Sequence, residues 1–176
     1  MSKMNKYEFE DFLKDVEVLD WVSDMDVSYI SQFHELLTEH GLKLSIKSNK
    51  TTPFILNFTN KRKGVFSLYL REKGLMAIVK AHNVDKYPDA LTALSEKMIQ
   101  LIKQSPVCKN LVRKNPSEKG CSYADCYGYE FSIGEINCQI CRYKCFQFDV
   151  DSESLPHLKN LAVRELEEQL KVLATK

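Results

Sequence analysis

Apolar residues recur at two different spacings along this chain, and these spacings predict where helices and strands lie. Residues 5–18 and 26–41 carry apolar side chains at helical spacing, and Gly41 is a typical residue to end a helix. Between residues 42 and 79, four short segments alternate apolar and polar residues, and glycines lie in the turns between them. Short connections of this kind indicate an antiparallel arrangement.

The second half of the chain continues the same two patterns. A third helix is predicted from about residue 85 to 105, and a last helix covers about 152–174. Two strands, residues 127–133 and 136–150, flank Gly134 and Glu135. The predicted order of elements is therefore ααββββαββα. Runs of strands interrupted by helices indicate an α+β fold, in which helices pack on an antiparallel sheet of about five or six strands.

Length and composition limit the classes of protein that fit. A chain of 176 residues fits one domain, here residues 25–176, preceded by an N-terminal helical arm, residues 1–24. The formal net charge of +1 gives no general attraction to nucleic acid or to a membrane. No segment approaches the roughly 18–20 apolar residues that span a bilayer, and the charged N-terminus is unlike a signal peptide. A cytoplasmic location is therefore expected, where thiols stay reduced.

Five of the six cysteines lie in one cysteine-rich hairpin, which is predicted over residues 121–145. In a reducing compartment, clustered cysteines more often bind metal than form disulfides. If Gly134 and Glu135 form the two-residue turn, the strands pair so that Cys138 faces Phe131. Cys138 is then expected to be a small buried apolar residue.

The same pairing places three other cysteines on the opposite face of the hairpin, near one end: Cys126, Cys141 and Cys145. A straight strand would hold Cys141 and Cys145 roughly 13 Å apart, so a bulge or a bend must bring them together. Cysteine pairs a few residues apart suit tetrahedral Zn²⁺. The four predicted ligands of a structural Zn²⁺ are Cys121, Cys126, Cys141 and Cys145.

A zinc ion at these four cysteines would have a structural role. Four thiolates leave no coordination position for a substrate, and the metal would fix the long loop 105–126 to the sheet. Cys108 would be either a core residue or a substitute ligand. Two other interpretations stay open. One is that all six cysteines are unconnected free thiols. The other is a redox dithiol at Cys138 and Cys141, although this pair lacks the helix N-terminus that lowers a thiol pKa.

Two motifs in the hairpin resemble an uncharacterised family of small proteins from Gram-positive anaerobic bacteria. The motifs are Gly128-Tyr129-x-Phe131 and Cys141-Arg142-Tyr143-x-Cys145-Phe146-x-Phe148, and the similarity runs from about residue 26 to 170. The family also shares the turn at Lys73-Gly74-Leu75, Cys108 and both cysteine pairs. The resemblance implies no activity, but it favours the same four cysteines as metal ligands.

The sequence favours a binding or adaptor module over an enzyme. It contains no nucleophile elbow, no glycine-rich phosphate loop, no HExxH motif and no dinucleotide fingerprint. Acidic pairs on helices, such as Glu165 and Glu168, are expected to face solvent. The basic residues expected to contact a protein or nucleic-acid partner are Lys109, Arg113, Lys114, Arg142 and Lys144. No membrane partner is expected, and the oligomeric state is not predicted.

Two alternative functions remain. A zinc- or cysteine-dependent enzyme would use a three-cysteine zinc with an open position, or a reactive Cys108 or Cys138, with Glu130 or His82 as acid or base. A single-stranded nucleic-acid binder would stack bases on aromatic residues that lie among the basic ones. These aromatic residues are Tyr123, Tyr127, Tyr129 and Tyr143. The basic run from residue 61 to 63 is predicted at a hairpin tip, where it is either solvated or contacts phosphate.

Overall fold

A computed structural model describes residues 8–48, 52–113, 121, 128–142 and 144–174. The helices in this part of the chain are α1 (Phe9–Glu17), α2 (Asp24–Glu39), α3 (Pro88–Thr92), α4 (Glu96–Lys103), α5 (Lys109–Val112) and α6 (Ser154–Ala174). The strands are β1 (Lys43–Lys47), β2 (Phe54–Asn60), β3 (Lys63–Arg71), β4 (Gly74–Val79), β5 (Gly128–Ile133), β6 (Ile136–Cys141) and β7 (Gln147–Asp149). None of the helices in these ranges is both long and apolar enough to cross a bilayer.

The strands form two antiparallel sheets. Strands β1, β2, β3, β4 and β7 are neighbours in that order in a five-stranded sheet, and β5 and β6 form a separate hairpin. On one face of the large sheet, alternate residues such as Leu68 and Ala77 are fully buried in a core shared with α2 and α6. On the other face, side chains such as Tyr69 and Met76, which pair across β3 and β4, are only half-buried. The predicted α+β fold is therefore confirmed.

Short polar side chains fix where three of the helices begin. At α2, the Ser23 hydroxyl accepts from the Asp26 N–H at 3.1 Å, and the Asp26 carboxylate accepts from the Ser23 N–H at 3.2 Å. Ser95 caps α4 through its hydroxyl. Before α6, the Asp151 carboxylate accepts from the Ser154 N–H at 2.7 Å. Each cap satisfies a backbone N–H that the first helical turn leaves without a partner.

Two predicted elements are divided in the structure. The helix expected over residues 85–105 is two helices, α3 and α4, because Ser95 adopts an extended conformation to cap α4. The strand expected over residues 136–150 is divided into β6 and β7. The chain turns after Cys141, where the backbone N–H of Cys145 donates to the Cys141 carbonyl at 3.1 Å. Phe146 has a φ of 58°, in the left-handed region, and the chain then enters the large sheet as β7. The predicted bend between Cys141 and Cys145 is confirmed.

The register of the cysteine-rich hairpin is the predicted one. Cys138 pairs with Phe131, and both side chains are buried in the core. The turn lies at Gly134 and Glu135, and Gly134 has a φ of 59° that a residue with a Cβ would adopt only under strain. Cys138 is therefore a small buried core residue, as expected.

Helix α1 packs on the rest of the structure through aromatic side chains. Phe12 is fully buried and meets Phe54 edge-on, and the ring of Phe9 stacks on His34 with ring centroids 3.6 Å apart. The contacts bury one face of α1 and leave the opposite face in solvent. The division into an arm, residues 1–24, and a domain, residues 25–176, stays a prediction.

Candidate functional site

A cleft with a volume of about 590 Å³ lies beside the half-buried face of the large sheet. Three basic side chains line it: Lys80, His82 and Arg142. Tyr69 of β3 and Ile78 of β4 also line it and provide an apolar part of the wall. We refer to the site formed by these five residues as the basic cleft.

Backbone hydrogen bonds just after β4 fix Lys80 and His82 in the cleft. The N–H of Lys80 donates to the carbonyl of Val65 at 2.8 Å, which extends the pairing with β3 past the last strand residue. The N–H of His82 donates to the carbonyl of Lys80 at 2.8 Å, and this three-residue turn reverses the chain. Arg142 is the first residue after β6. The turn after β4 and the turn after β6 thus bring together His82 and Arg142, which are 60 positions apart in the sequence.

The Arg142 guanidinium is in contact with the His82 ring. Arg142 Nη2 lies 3.0 Å from His82 Nδ1 and 3.1 Å from Nε2. Because a guanidinium only donates hydrogen bonds, the ring nitrogen that accepts must carry no proton. Burial lowers the pKa of His82 to about 4, and the charges of Arg142, Lys63 and Lys80 contribute to the shift. The imidazole is therefore neutral near pH 7.

Positive charge is concentrated in the basic cleft. Burial lowers the pKa of Lys80, and the nearby charge of Arg142 lowers it further. The described residues that line the cleft include no aspartate or glutamate. Like charges held together in a concave, partly buried site raise the local positive potential, which attracts anions.

A buried carboxylate, Glu165 of α6, lies behind the cleft and holds the loop that carries His82. It accepts hydrogen bonds from the backbone N–H of Asn83 at 3.0 Å, the Asn83 amide at 2.9 Å, the Tyr87 hydroxyl at 2.9 Å and Gln169 at 3.0 Å. Burial raises the pKa of Glu165, and these hydrogen bonds oppose the rise. The expectation that Glu165 faces solvent is wrong, because its side chain is fully buried.

Helix α6 also contacts a neighbouring segment of the cleft wall, at the start of β3. Gln169, one turn after Glu165, donates to the carbonyl of Gly64 at 3.2 Å, and Gly64 lines the cleft. The neighbour of His82, Asn83, is bound by Glu165. One helix therefore fixes both the loop after β4 and the start of β3.

The predicted zinc ligands occupy different environments. Cys145 is 1% exposed, Cys141 is half-buried at the end of β6, and Cys121 is exposed, with its N–H donating to Asn110 Oδ1 at 2.8 Å. Cys126 lies outside the described residues. The turn after β6 brings the backbones of Cys141 and Cys145 into contact. The expectation that Cys145 lies on the opposite face from Cys138 is wrong, because the chain bends after β6 and buries Cys145 in the same core as Cys138.

No group of three histidine, cysteine or acidic side chains forms a metal-binding arrangement within the described ranges. A four-cysteine site would need Cys126, so the zinc site stays a prediction. Burial raises the pKa of Cys145 and of Cys138, which keeps both thiols protonated in the absence of a metal. Protonated buried thiols are poor nucleophiles, so neither is favoured as a reactive cysteine.

The basic residues predicted to contact a partner are dispersed. Arg142 lines the basic cleft, whereas Lys109, Arg113 and Lys144 are exposed outside it. Lys114 lies outside the described residues, as do three of the four tyrosines predicted to stack on bases: Tyr123, Tyr127 and Tyr143. The fourth, Tyr129, is 7% exposed and packs edge-on against Phe146.

The sequence interpretation did not identify Lys80 or Glu165 as site residues. Lys80 directly follows a strand in which apolar and polar residues alternate, and no motif in the surrounding sequence relates it to Arg142. Glu165 gave a clearer signal, because it falls between Leu161 and Leu166 in the apolar stripe of α6. An acid within such a stripe is expected to be buried with hydrogen-bond partners.

Comparisons with known proteins found no family model, no curated protein and no solved structure that matches this chain at a significant level. The resemblance to an uncharacterised bacterial family therefore stays an expectation.

Proposed function

We propose that the protein is a binding module that takes an anionic ligand, carrying a phosphate or carboxylate group, into the basic cleft. The observation behind the proposal is the convergence of Lys80, His82 and Arg142 on one concave surface. Burial lowers the pKa of Lys80 and the charge of Arg142 lowers it further, and an anion between the two cations would be attracted to both. A guanidinium also binds oxyanions through two parallel hydrogen bonds.

The size and the wall of the cleft favour a small molecule that carries the anionic group. The volume of about 590 Å³ falls within the roughly 300–1,000 Å³ that is common for small-molecule sites. Tyr69 and Ile78 offer an apolar surface to the part of the ligand beyond its charged group.

The chemistry of the cleft favours binding over catalysis. A proton-transferring residue works best when its pKa is near the working pH. The pKa of His82 is about 4, so its ring holds almost no proton to donate near pH 7. The nearby Glu165 is buried, and both its oxygens already accept hydrogen bonds.

Calorimetric titration with inorganic phosphate and with acetate tests this proposal. Arg142→Gln and Lys80→Gln are each expected to weaken binding about tenfold or more, because a hydrogen bond to a charged group contributes roughly 1.5–3 kcal/mol. The control is Lys109→Gln, which removes an exposed charge outside the cleft and should change the affinity less than about twofold. Equal loss in all three variants, or no binding by the unmodified protein, would contradict the proposal.

A structural zinc is the second part of the proposal. The turn that joins Cys141 to Cys145 supports it, because a straight strand would keep these residues apart. A cytoplasmic location fits the free cysteines found in the described part of the chain. Metal analysis together with thiol titration of the purified protein is the test. One zinc per chain, whose removal by a chelator makes further thiols titratable, supports the site, and a protein purified without metal would remove it.

A further inference from the structure

The tip of the β2–β3 hairpin has an unusual choice of residues for its backbone. Asn60 pairs with Lys63, which leaves a two-residue loop of Lys61 and Arg62, with φ values of 44° and 72°. Two consecutive positive φ angles in a two-residue hairpin loop mark a type I′ turn. Such turns strongly prefer Asn-Gly or Gly-Gly, because a Cβ is strained in this region and the short polar side chain of Asn offsets the strain by local hydrogen bonds. Here two long cationic side chains occupy the strained positions.

This hairpin tip lies at the edge of the basic cleft. Lys63, the residue after the turn, is close enough to His82 for its charge to lower the histidine pKa. The next residue, Gly64, lines the cleft, and a Cβ built there would lie 3.4 Å from the Lys80 side chain. The side chains of Lys61, Arg62 and Lys63 are all exposed.

Two features of the hairpin distinguish its tip from an ordinary solvated turn. The pairing of β2 with β3 shifts register between Phe58 and Thr59, an irregularity that increases local twist and redirects the end of a hairpin. Three consecutive cations also repel one another, in addition to the strain at two of them. Strain retained at a turn where Asn-Gly would remove it is typical of functional positions.

We infer that Lys61, Arg62 and Lys63 form a clasp, which binds a second anionic group of the ligand. Lys80 and Arg142 bind the first anionic group of the same ligand. Since the clasp presupposes the anion site proposed above, it deepens that function by naming the ligand class. The ligand is a small molecule with two or more linked phosphates, such as a diphosphate or triphosphate ester. A single phosphate group would fill only a small part of the cleft and would leave the tip without a contact.

The decisive variant is Lys61→Asn/Arg62→Gly, which removes two charges and supplies the residues that the turn prefers. Its matched control is Lys47→Asn/Lys73→Asn, which removes two exposed lysines at the other end of the same sheet. Both double variants change the net charge equally, so a general electrostatic effect would be the same in both.

Affinities for orthophosphate, pyrophosphate and tripolyphosphate are measured by calorimetry at one ionic strength, with thermal unfolding recorded for each variant. The unmodified protein should bind tripolyphosphate about tenfold or more tightly than orthophosphate, since hydrogen bonds between charged groups are strong. The turn variant should lose most of that preference, bind orthophosphate within about twofold of the unmodified protein, and unfold at a higher temperature because the strain is gone. The control variant should retain the preference.

The outcomes separate the clasp from the site on which it depends. If the turn variant keeps the full preference for tripolyphosphate, the clasp is wrong while the anion site stands. If the unmodified protein binds none of the three anions, the proposed function itself fails. A short single-stranded oligonucleotide that binds more tightly than tripolyphosphate would overturn the assignment to a small polyphosphate.

Discussion

Replacing Glu165 is the most informative perturbation of this fold, because one buried carboxylate accepts four hydrogen bonds behind the basic cleft. Glu165→Leu keeps a similar volume and removes every acceptor. Asn83 and Tyr87 supply three of the donors, and each buried donor that loses its acceptor costs about 1–3 kcal/mol. Because Asn83 is only half-buried, water can partly replace its lost acceptors, so the summed loss lies towards the lower end of roughly 3–9 kcal/mol. It is still comparable with the whole stability of a typical domain, about 5–15 kcal/mol. We expect Glu165→Leu to unfold the protein or to release the loop around Asn83.

Glu165→Gln provides the graded comparison. One oxygen remains an acceptor, and the new amide can donate to the Tyr87 hydroxyl, which is able to turn and accept. An amide nitrogen at the position of Oε2 would face the backbone N–H of Asn83, and one at the position of Oε1 would face the amides of Asn83 and Gln169, so a donor faces a donor in either orientation. One such conflict should cost about 1–3 kcal/mol. Urea unfolding at pH 7, followed by far-UV circular dichroism and tryptophan fluorescence, measures both variants. The reasoning is refuted if Glu165→Leu is within about 1 kcal/mol of the unmodified protein, or if both variants lose equal stability.

The raised pKa of Glu165 also predicts a pH dependence of stability. Between its ordinary carboxyl pKa and the raised value, the folded state binds more protons at this site than the unfolded state. The contribution of Glu165 to stability is therefore complete below the ordinary pKa and declines as pH rises through the raised one, by no more than about 1.4 kcal/mol per pH unit. The stability difference between the unmodified protein and Glu165→Gln should shrink over this window. A difference that grows with pH would show that the hydrogen bonds, rather than burial, dominate the pKa.

Two further predictions concern packing and electrostatics at the ends of the small hairpin. Gly128→Ala should destabilise the protein by about 1–3 kcal/mol, measured by thermal unfolding, because the added Cβ would clash with Leu111 Cδ1 and lie 2.7 Å from Cys108 Cβ. An unchanged melting temperature would show that α5 moves away freely. Arg142→Gln should raise the pKa of His82 from about 4, since one of the cations that lower it is lost; burial, the larger cause, should keep it below the ordinary 6.5. Nuclear magnetic resonance titration of the histidine ring checks this, and an unchanged value would remove Arg142 as a cause.

Local patterns in the sequence were sufficient for the fold class and for the register of the small hairpin. Strand alternation and a glycine at a two-residue turn are properties of neighbouring residues, so the pairing of Cys138 with Phe131 could be predicted. The separation into two sheets could not. It depends on Phe146, which adopts a positive φ and packs against Tyr129, a residue distant in the chain.

The basic cleft was beyond sequence reasoning for the same physical reason. Lys80 and Arg142 come from different sheets, and no periodicity relates their positions. The role of Glu165 could have been predicted, because a charged residue in an apolar helical stripe must be satisfied by hydrogen bonds if it is buried. The zinc hypothesis remains a prediction, since one of its four cysteines, Cys126, lies outside the described residues.

The hydrogen bonds from α6 to two neighbouring segments of the cleft wall have a consequence for affinity. Glu165 fixes the segment that bears His82, and Gln169 fixes Gly64 at the start of β3, so moving this part of the cleft wall would break hydrogen bonds that water cannot easily replace. A ligand would meet a binding surface that is already rigid before it arrives. Little conformational entropy of the protein would then be lost on association, and rigid anions should be discriminated by the spacing of their charges.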